Sequence, residues 1–327
     1  MILQGLPATS TPFPWHAEAW QRLEQQRRDA QLPHALLLAG PPATGKSAFA
    51  LALARWLLCS APEAAQNCGR CHACALSAAG NHGDLKWVQP AANSRFIKID
   101  QVRDAVAFSQ GTASFGPRQV IVFAPADTMN VNGFNALLKS LEEPAQETYL
   151  LLVCDRMDAV PATIRSRCQL VRLPAPGRVA SRSWLSAHLG SGADVEALLE
   201  LADNSPLLAA DLFRDDAVED VKSRRLAMAA LVAGRASPDA VRNFWKETEP
   251  QAFLDEVAGE LRRLLRALPA GGLQGPFGRT AFHLLDEITG LQRAITGGAN
   301  PGMPLLVDYM LAKCHRQLGG APRGDSI

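Results

Sequence analysis

Between residues 35 and 173, short apolar runs alternate with segments in which apolar residues recur at helical spacing. This alternation predicts an α/β domain with a parallel sheet that is covered by helices on both faces. Ligands of such sheets bind beyond the carboxyl ends of the strands, so we expect a site in those loops. The predicted strands are residues 35–39, 85–88, 119–123, 149–153 and 169–173, and the predicted helices between them are residues 48–58, 99–109, 132–142 and 161–165.

Strand signals stop at the proline-rich linker 174–177, PAPG, and helical patterns follow. We therefore predict an α/β domain at residues 1–175, a small helical lid domain at residues 176–215 and an all-helical domain at residues 216–327. Residues 321–327 are expected to form a frayed tail. The helices expected in the last domain lie near residues 216–233, 238–247, 251–268, 277–295 and 304–318.

Composition restricts the function classes. The chain has 327 residues, with 33 basic and 32 acidic side chains and a net charge of +1. Such a balance gives no electrostatic footprint for autonomous nucleic-acid binding. Neither a leader pattern nor an apolar run of about 18 residues is present, so we expect a cytosolic protein that does not enter a membrane.

The segment GPPATGKS, residues 40–47, matches the phosphate-loop motif G-x-x-x-x-G-K-[ST] at each fixed position. It follows a predicted strand and precedes a predicted helix, so backbone N–H groups and the helix dipole would meet the same anion. Lys46 would reach the outer phosphates of ATP or ADP, and Ser47 would hold Mg²⁺. The alternative is a chance glycine-rich turn at the start of a helix.

The acids that an ATPase of this architecture needs are missing from the expected place. The strand at residues 119–123 ends in Ala124 and Pro125, where one carboxylate should hold magnesium and a second should orient the attacking water. Asp127 follows, but it lies beyond a proline. We interpret the domain as a nucleotide-binding scaffold without its hydrolytic half. The alternative is an active ATPase that uses Asp127 or a less obvious acid.

Four cysteines share one short polar insertion in the pattern C-x8-C-x2-C-x2-C: Cys59, Cys68, Cys71 and Cys74. Four thiolates at this spacing can surround one structural zinc ion and leave no open position for catalysis. The alternatives are free thiols or a redox pair. The other cysteines are predicted to be buried thiols: Cys154, Cys168 and Cys314.

Two further polar groups have no assigned role on spacing alone. Residues 164–168, IRSRC, form a basic turn with Arg165 and Arg167, which is most simply a pair of exposed arginines. Glu142 and Glu143 are interpreted as a solvated helix end.

The chain resembles bacterial clamp-loader subunits of the AAA+ class in the order of its motifs. This order is GPPATGKS, the cysteine insertion, VIVFAPADTMN, NALLKSLEEP, SRC, a helical lid and a helical C-terminal region. It is most similar to the delta-prime family of DNA polymerase III subunits. The resemblance covers essentially the whole chain, and NALLKSLEEP followed by SRC is its specific part. It implies a subunit at one end of an open five-subunit ring that does not itself hydrolyse ATP.

The resemblance also assigns partners and roles. The partners are gamma or tau ATPase subunits and a delta subunit, with the sliding clamp and primer-template DNA reached through the complex. Arg167 becomes an arginine finger for the nucleotide site of the adjacent ATPase subunit, and the helical C-terminal domain becomes the oligomerisation collar. The four cysteines become the zinc module. The residues that could still hold nucleotide are Gly40, Thr44, Gly45, Lys46 and Ser47.

Two departures separate the chain from the ATPase subunits that it otherwise resembles. One is the pair Ala124 and Pro125 in place of the acids. The other is Leu207, which stands where ATPase subunits carry a phosphate-sensing arginine. Both favour an assembly subunit over an active ATPase. A zinc-dependent DNA-binding module is a third hypothesis, and the neutral charge disfavours it.

Overall fold

The structure is a computed structural model that describes residues 7–91, 94–190, 192–296 and 299–319. The predicted tail at residues 321–327 lies outside these ranges. The chain divides into two compact units, Met1–Asp211 and Leu212–Ile327, and each is described by itself. The division into three domains, with a separate lid at residues 176–215, stays a prediction.

A five-stranded parallel sheet forms the centre of the first unit. Its strands are β1 Ala35–Ala39, β2 Leu85–Val88, β3 Gln119–Phe123, β4 Thr148–Cys154 and β5 Gln169–Arg172. The strand order is β2-β3-β4-β1-β5. Both β1 and β3 are buried along their whole length, because helices cover both faces of the sheet. The register aligns Ala39 with Cys154, so the loops after β1 and β4 are neighbours at the carboxyl edge.

The two faces of the sheet hold separate apolar clusters. Along β1 the side chains alternate between the two faces. Leu36 and Leu38 pack with the first two helices of the unit, α1 (Ala17–Arg28) and α2 (Lys46–Leu58). Leu37 packs with α4 (Ile99–Ser109) and α5 (Val131–Glu142) on the other face. Each fully buried leucine of this kind stabilises the fold by about 1.5–3 kcal/mol. The helices of this unit are α1 Ala17–Arg28, α2 Lys46–Leu58, α3 His72–Ala78, α4 Ile99–Ser109, α5 Val131–Glu142, α6 Ala162–Arg165, α7 Arg178–Leu189, α8 Val195–Leu201 and α9 Pro206–Arg214, whose last turn enters the second unit.

The second unit is helical around one core. Trp245 is 1% exposed there and its Nε1 donates a hydrogen bond to Glu256 Oε2 at 2.8 Å. Within the described ranges, no helix is both long enough and apolar enough to cross a membrane. The helices are α10 Val218–Val232, α11 Pro238–Val241, α12 Pro250–Ala267, α13 Ala270–Leu273, α14 Pro276–Thr296 and α15 Met303–Leu318.

The predicted α/β fold with a helical C-terminal region is confirmed. Two details of the helix predictions are wrong. The helix expected at residues 238–247 ends at Val241 and continues as a 3-10 turn, Arg242–Trp245. Inside the cysteine insertion, for which no helix was predicted, α3 buries Ala73, Cys74 and Ser77. This helix is too short, and too rich in cysteine and histidine, to show an apolar period in the sequence.

Candidate nucleotide-binding loop, cysteine module and arginine turn

The phosphate loop, residues 40–47, connects the carboxyl end of β1 to the first turn of α2. Gly40 passes so close to β5 that a Cβ there would lie 1.9 Å from the carbonyl oxygen of Leu173. Gly45 has a φ of +89°, which favours glycine. The glycines of the motif are thus required by the local backbone, and the loop precedes the positive end of α2.

Lys46 is buried, with 3% of its side chain exposed, and its Nζ forms an ion pair of 2.6 Å with Asp155 Oδ1. The same amine also contacts the carbonyl oxygen of Pro41. Asp155 directly follows β4, the strand next to β1, so the fold brings its carboxylate to the loop. The lysine that would meet a phosphate is therefore held by an acid of the chain itself. Sequence analysis did not single out Asp155.

Asp127 is buried and does not lie free beside the loop. Its Oδ1 accepts a hydrogen bond from the backbone N–H of Asp155 at 3.1 Å, and its Oδ2 accepts one from Arg156 Nε at 3.2 Å. Burial raises the pKa of the Asp127 carboxyl above its usual value. Both oxygens are thus engaged by protein donors, and Asp127 joins the loop after β3 to the loop after β4.

Two aromatic residues that precede α1 lie against the phosphate loop. A Cβ on Gly45 would be 2.3 Å from Phe13 Cδ2, so the phenyl ring packs directly on this glycine. Trp15 stacks on Phe13 with ring centroids 4.8 Å apart, and its Nε1 donates a hydrogen bond to the carbonyl oxygen of Thr44 at 2.9 Å. Trp184 of α7 meets both rings edge to face. These rings cover one side of the loop.

The start of α9 covers the loop as well. Ser205 Oγ donates a hydrogen bond to the carbonyl oxygen of Ala43 at 3.1 Å. Leu207 Cδ1 would lie 3.3 Å from a Cβ on Gly45. Leu207 therefore packs against the phosphate loop at Gly45, and its apolar side chain offers no charge there.

The four predicted metal-ligating cysteines come together. Their Sγ atoms all lie within 4.8 Å of one another, and Cys59 Sγ is 3.9 Å from Cys71 Sγ and 3.7 Å from Cys74 Sγ. Cys59 ends α2, and Cys71 and Cys74 lie at the start of α3. Asn67 is fully buried beside them and donates from Nδ2 to Cys74 Sγ at 3.2 Å. The cluster is compatible with a structural metal site.

The prediction that the remaining cysteines are buried thiols is confirmed. Burial raises the pKa of the Cys154 and Cys314 thiols to about 12 and that of the Cys168 thiol to about 11. All three therefore stay protonated at neutral pH, and we assign them to the cores.

Arg167 lies between α6 and β5, and its side chain is 36% exposed. Its Nε and Nη2 contact Glu142 Oε1 at 2.8 and 2.6 Å, and its Nη1 donates to the carbonyl oxygen of Thr163 at 3.0 Å. Glu142 is half-exposed at the end of α5, as expected for a solvated helix end, and its carboxylate also pairs with Arg167. Arg165 also lies exposed, on α6.

The sheet register separates Arg167 from the phosphate loop of its own chain. Gln169 lies level with Leu36, at the amino edge of the sheet, whereas the loop begins at Gly40 beyond the carboxyl edge. Four residues of strand at about 3.3 Å each span about 13 Å, and Arg167 lies before Gln169 in the chain. The structure thus brings Asp155 to Lys46 and Leu207 to Gly45 of the loop, and it does not bring Arg167 to them.

A family model described as "DNA polymerase III, delta subunit" matches residues 15–177. Among curated relatives, the DNA polymerase III subunit delta' of Pseudomonas aeruginosa is 45% identical over 199 residues, which cover 60% of each chain. The subunit delta' of Escherichia coli is 33% identical over 205 residues, 62% of this chain and 61% of the relative. The chain thus matches about three fifths of the length of these relatives.

Among solved structures, a DNA polymerase III gamma subunit-related protein from Thermotoga maritima is similar over 90% of this chain and 99% of that chain, with 16% identity and a TM-score of 0.49. The sequence matches and the order of motifs along the first unit both point to one family. Over the matched region, this chain belongs to the delta-prime family of DNA polymerase III subunits.

Proposed function

We propose that this chain is a non-hydrolysing subunit of a bacterial DNA polymerase III clamp loader. It assists the ATP-dependent loading of the sliding clamp on primed DNA, in a five-subunit ring with gamma or tau ATPase subunits and a delta subunit in the cytoplasm. The observation that carries this proposal is the position of Arg167, which is exposed at the sheet edge opposite to its own phosphate loop. An arginine there serves a nucleotide bound by a neighbouring subunit.

The chemistry of Arg167 suits this role. A planar, permanently charged guanidinium stabilises the negative charge that spreads over a transferring phosphoryl group. The contacts with Glu142 and Thr163 leave one hydrogen of Nη2 for a further acceptor. Fingers of this kind contribute about 10³-fold or more in rate.

The chain's own phosphate loop binds ATP or ADP with Mg²⁺, weakly or moderately, without turning it over. Lys46 and Ser47 remain to bind the phosphates and the magnesium ion. Ala124 stands where the magnesium-binding acid is needed, and Asp127 is engaged by protein donors. Leu207 supplies no charge to a transition state.

One observation favours a second candidate, an active ATPase. Asp155 is a partly exposed carboxylate within 2.6 Å of Lys46, and its side chain is 38% exposed. A carboxylate so close to the phosphate loop is the acid that such an activity would use.

The cysteine cluster fits a structural zinc ion. Zinc at the centre of four sulfurs, with Zn–S distances of about 2.3 Å, separates the sulfurs by about 3.8 Å. Cys59 Sγ lies 3.9 Å from Cys71 Sγ and 3.7 Å from Cys74 Sγ. The residues that would hold the ion are Cys59, Cys68, Cys71 and Cys74, and a shell of four thiolates leaves it no place in catalysis.

The decisive experiment measures nucleotide turnover by the isolated chain and then by the ring assembled with its ATPase partners. We expect no turnover by the isolated chain. In the ring, Arg167→Ala should leave assembly intact, lower DNA-stimulated ATPase activity in part, since one site of several is affected, and lower clamp loading further. Arg165→Ala is the matched control. Equal losses from both variants, or no loss from Arg167→Ala, would reject the finger.

Turnover by the isolated chain that disappears in Lys46→Ala would instead establish the ATPase candidate. The two outcomes are distinct, because the first concerns a nucleotide on another subunit and the second a nucleotide on this chain.

A further inference from the structure

The segment of residues 7–16, here called the N-terminal strap, runs from the cysteine module to the phosphate loop. Its residues 7–13 form neither helix nor strand, so the strap depends on contacts at its two ends. At the first end, buried Asn67 donates from Nδ2 to the carbonyl oxygen of Ala8 at 2.7 Å. Its Oδ1 accepts a hydrogen bond from the backbone N–H of Ser10 at 2.9 Å.

Arg55 of α2 gives the same end a second attachment. This arginine is 2% exposed, and its Nη1 donates to the carbonyl oxygen of Pro7 at 2.6 Å and to Ser10 Oγ at 2.7 Å. Its other edge donates to Ser77 of α3, from Nε to Oγ at 2.9 Å and from Nη2 to the carbonyl oxygen at 3.1 Å. One buried guanidinium thus joins the strap to the helix that carries Cys74.

The strap also packs directly on the turn between the module's cysteines. Gly69 has a φ of +72°, and a Cβ there would lie 2.6 Å from Thr9 Cγ2. The Asn67 amide nitrogen that holds Ala8 also bonds to Cys74 Sγ. The groups that hold the strap are therefore the groups that surround the metal-binding sulfurs, and their positions depend on the fold of this insertion.

At its second end the strap covers the phosphate loop through Phe13 on Gly45 and through Trp15 on the carbonyl oxygen of Thr44. These contacts engage the glycine turn and a carbonyl oxygen, not the lysine. The strap therefore limits the access of a nucleotide to the phosphate loop, whereas Asp155 forms an ion pair with the lysine.

We propose that the metal-bound cysteine module anchors the N-terminal strap and thereby keeps the phosphate loop covered. Metal binding and local folding are coupled in small thiolate modules, so loss of the metal releases Asn67 and Ser77 from their positions. The strap then regains backbone freedom at this end, because the contacts that offset the entropy cost of its ordering there are lost. The metal centre thus sets how readily nucleotide enters. This regulation rests on the nucleotide binding proposed above.

The first test measures hydrogen exchange by mass spectrometry on the full chain with zinc, after chelation, and in Asn67→Ala with zinc. The variant keeps all four thiolates and removes both strap contacts of the amide. We expect peptides that cover residues 7–16 to exchange about tenfold faster or more in both altered states, while those of β1 keep their rates. Gln66→Ala, the adjacent amide, is the matched control.

Zinc content is measured alongside, and Ser10→Ala is the second variant should Asn67→Ala lose its metal. It removes an acceptor of Arg55 without changing the module. Strap exchange that stays unchanged after chelation and in both variants overturns the anchor.

The second test titrates a fluorescent ADP analogue. We expect Asn67→Ala and Phe13→Ala to bind it at least threefold more tightly than the unaltered chain, and Phe13→Ala to keep its zinc. Tighter binding in Phe13→Ala with no change in Asn67→Ala overturns the coupling to the module. No binding by any protein, including Phe13→Ala, rejects the proposed nucleotide binding, and the exchange experiment still decides whether the module anchors the strap.

Discussion

Replacing Asp155 with asparagine should loosen the fold slightly and strengthen nucleotide binding. The carboxylate holds Lys46 at 2.6 Å, and only 3% of the lysine side chain is exposed. Asparagine keeps an oxygen acceptor for the amine and removes the negative charge. A phosphate that arrives at the loop then competes with a neutral amide for the lysine, and no longer with an anion.

The magnitude follows from the loss of one charge of the ion pair, because the lysine ammonium keeps its charge and its hydrogen bond to the amide remains charge-assisted. Exposed ion pairs contribute about 0–1 kcal/mol, and breaking a fully buried pair costs about 3–5 kcal/mol. For a pair with one buried and one partly exposed side chain, we expect a loss between these limits, about 1–2 kcal/mol. We expect the free energy of unfolding to fall by that amount. The lost attraction between Asp155 and Lys46 no longer competes with a bound phosphate. The affinity for ATP should therefore rise about fivefold to thirtyfold, at 1.4 kcal/mol per tenfold.

Urea unfolding gives the first quantity, and titration with a fluorescent ATP analogue gives the second. Asp158→Asn, an exposed acid in the same loop, is the control for the change in net charge. Competition between Asp155 and phosphate for Lys46 is refuted if Asp155→Asn leaves binding unchanged or weakens it, or if Asp158→Asn gives the same gain. Turnover by the unaltered chain that Asp155→Asn abolishes would make Asp155 a catalytic acid.

Three further predictions concern the metal, the loop backbone and pH. Protein purified without chelator should contain about one equivalent of zinc by metal analysis, and Cys71→Ser should speed hydrogen exchange in the insertion but not in the sheet. Gly40→Ala should lower the free energy of unfolding by about 1–3 kcal/mol, since its Cβ would meet a backbone carbonyl at 1.9 Å, whereas Gly177→Ala, with open space around it, should change urea unfolding little. Burial, with a smaller contribution from Lys46, lowers the pKa of His16 from 6.5 to about 4. Between pH 6.5 and pH 4, His16 therefore binds a proton in the unfolded chain but not in the folded chain. As the pH is lowered through this range, the free energy of unfolding should fall by up to about 3 kcal/mol. Above pH 6.5, His16 should not change the free energy of unfolding. A His16→Phe variant whose unfolding keeps the same pH dependence would contradict that assignment.

The sheet could be predicted because each strand carries its signal locally. The apolar run of β1 and the glycine turn after it are contiguous, and so are the cysteine spacings. Contacts between distant segments carry no such signal. Ser10 and Asn67 are 57 residues apart, and Glu142 and Arg167 are 25 apart. Neither pair could be found before the fold brought its members together.

Asp155 shows the same limit in the candidate site. A strand that ends in an acid is a recognisable pattern, but the functional expectation looked for it after β3, where Ala124 stands. The strand order places β4, not β3, beside β1, so an acid after β4 reaches Lys46. The identity of the acid that meets the lysine is thus a property of sheet topology, which a local motif does not specify.

The pair of Glu142 and Arg167 has a strength that suits a finger. Its side chains are 51% and 36% exposed, and an ion pair of this exposure contributes about 0–1 kcal/mol. Glu142 is also the last residue of α5, where a negative charge is unfavourable to the helix dipole, so helix stability alone does not explain an acid there. Fixing a free arginine side chain costs about 2 kcal/mol of rotamer entropy. The weak contact with Glu142 removes part of this cost before a nucleotide binds. In the proposed role, the guanidinium is thus oriented before a neighbour's nucleotide arrives, yet it is held too weakly to resist exchange of the carboxylate for a phosphate.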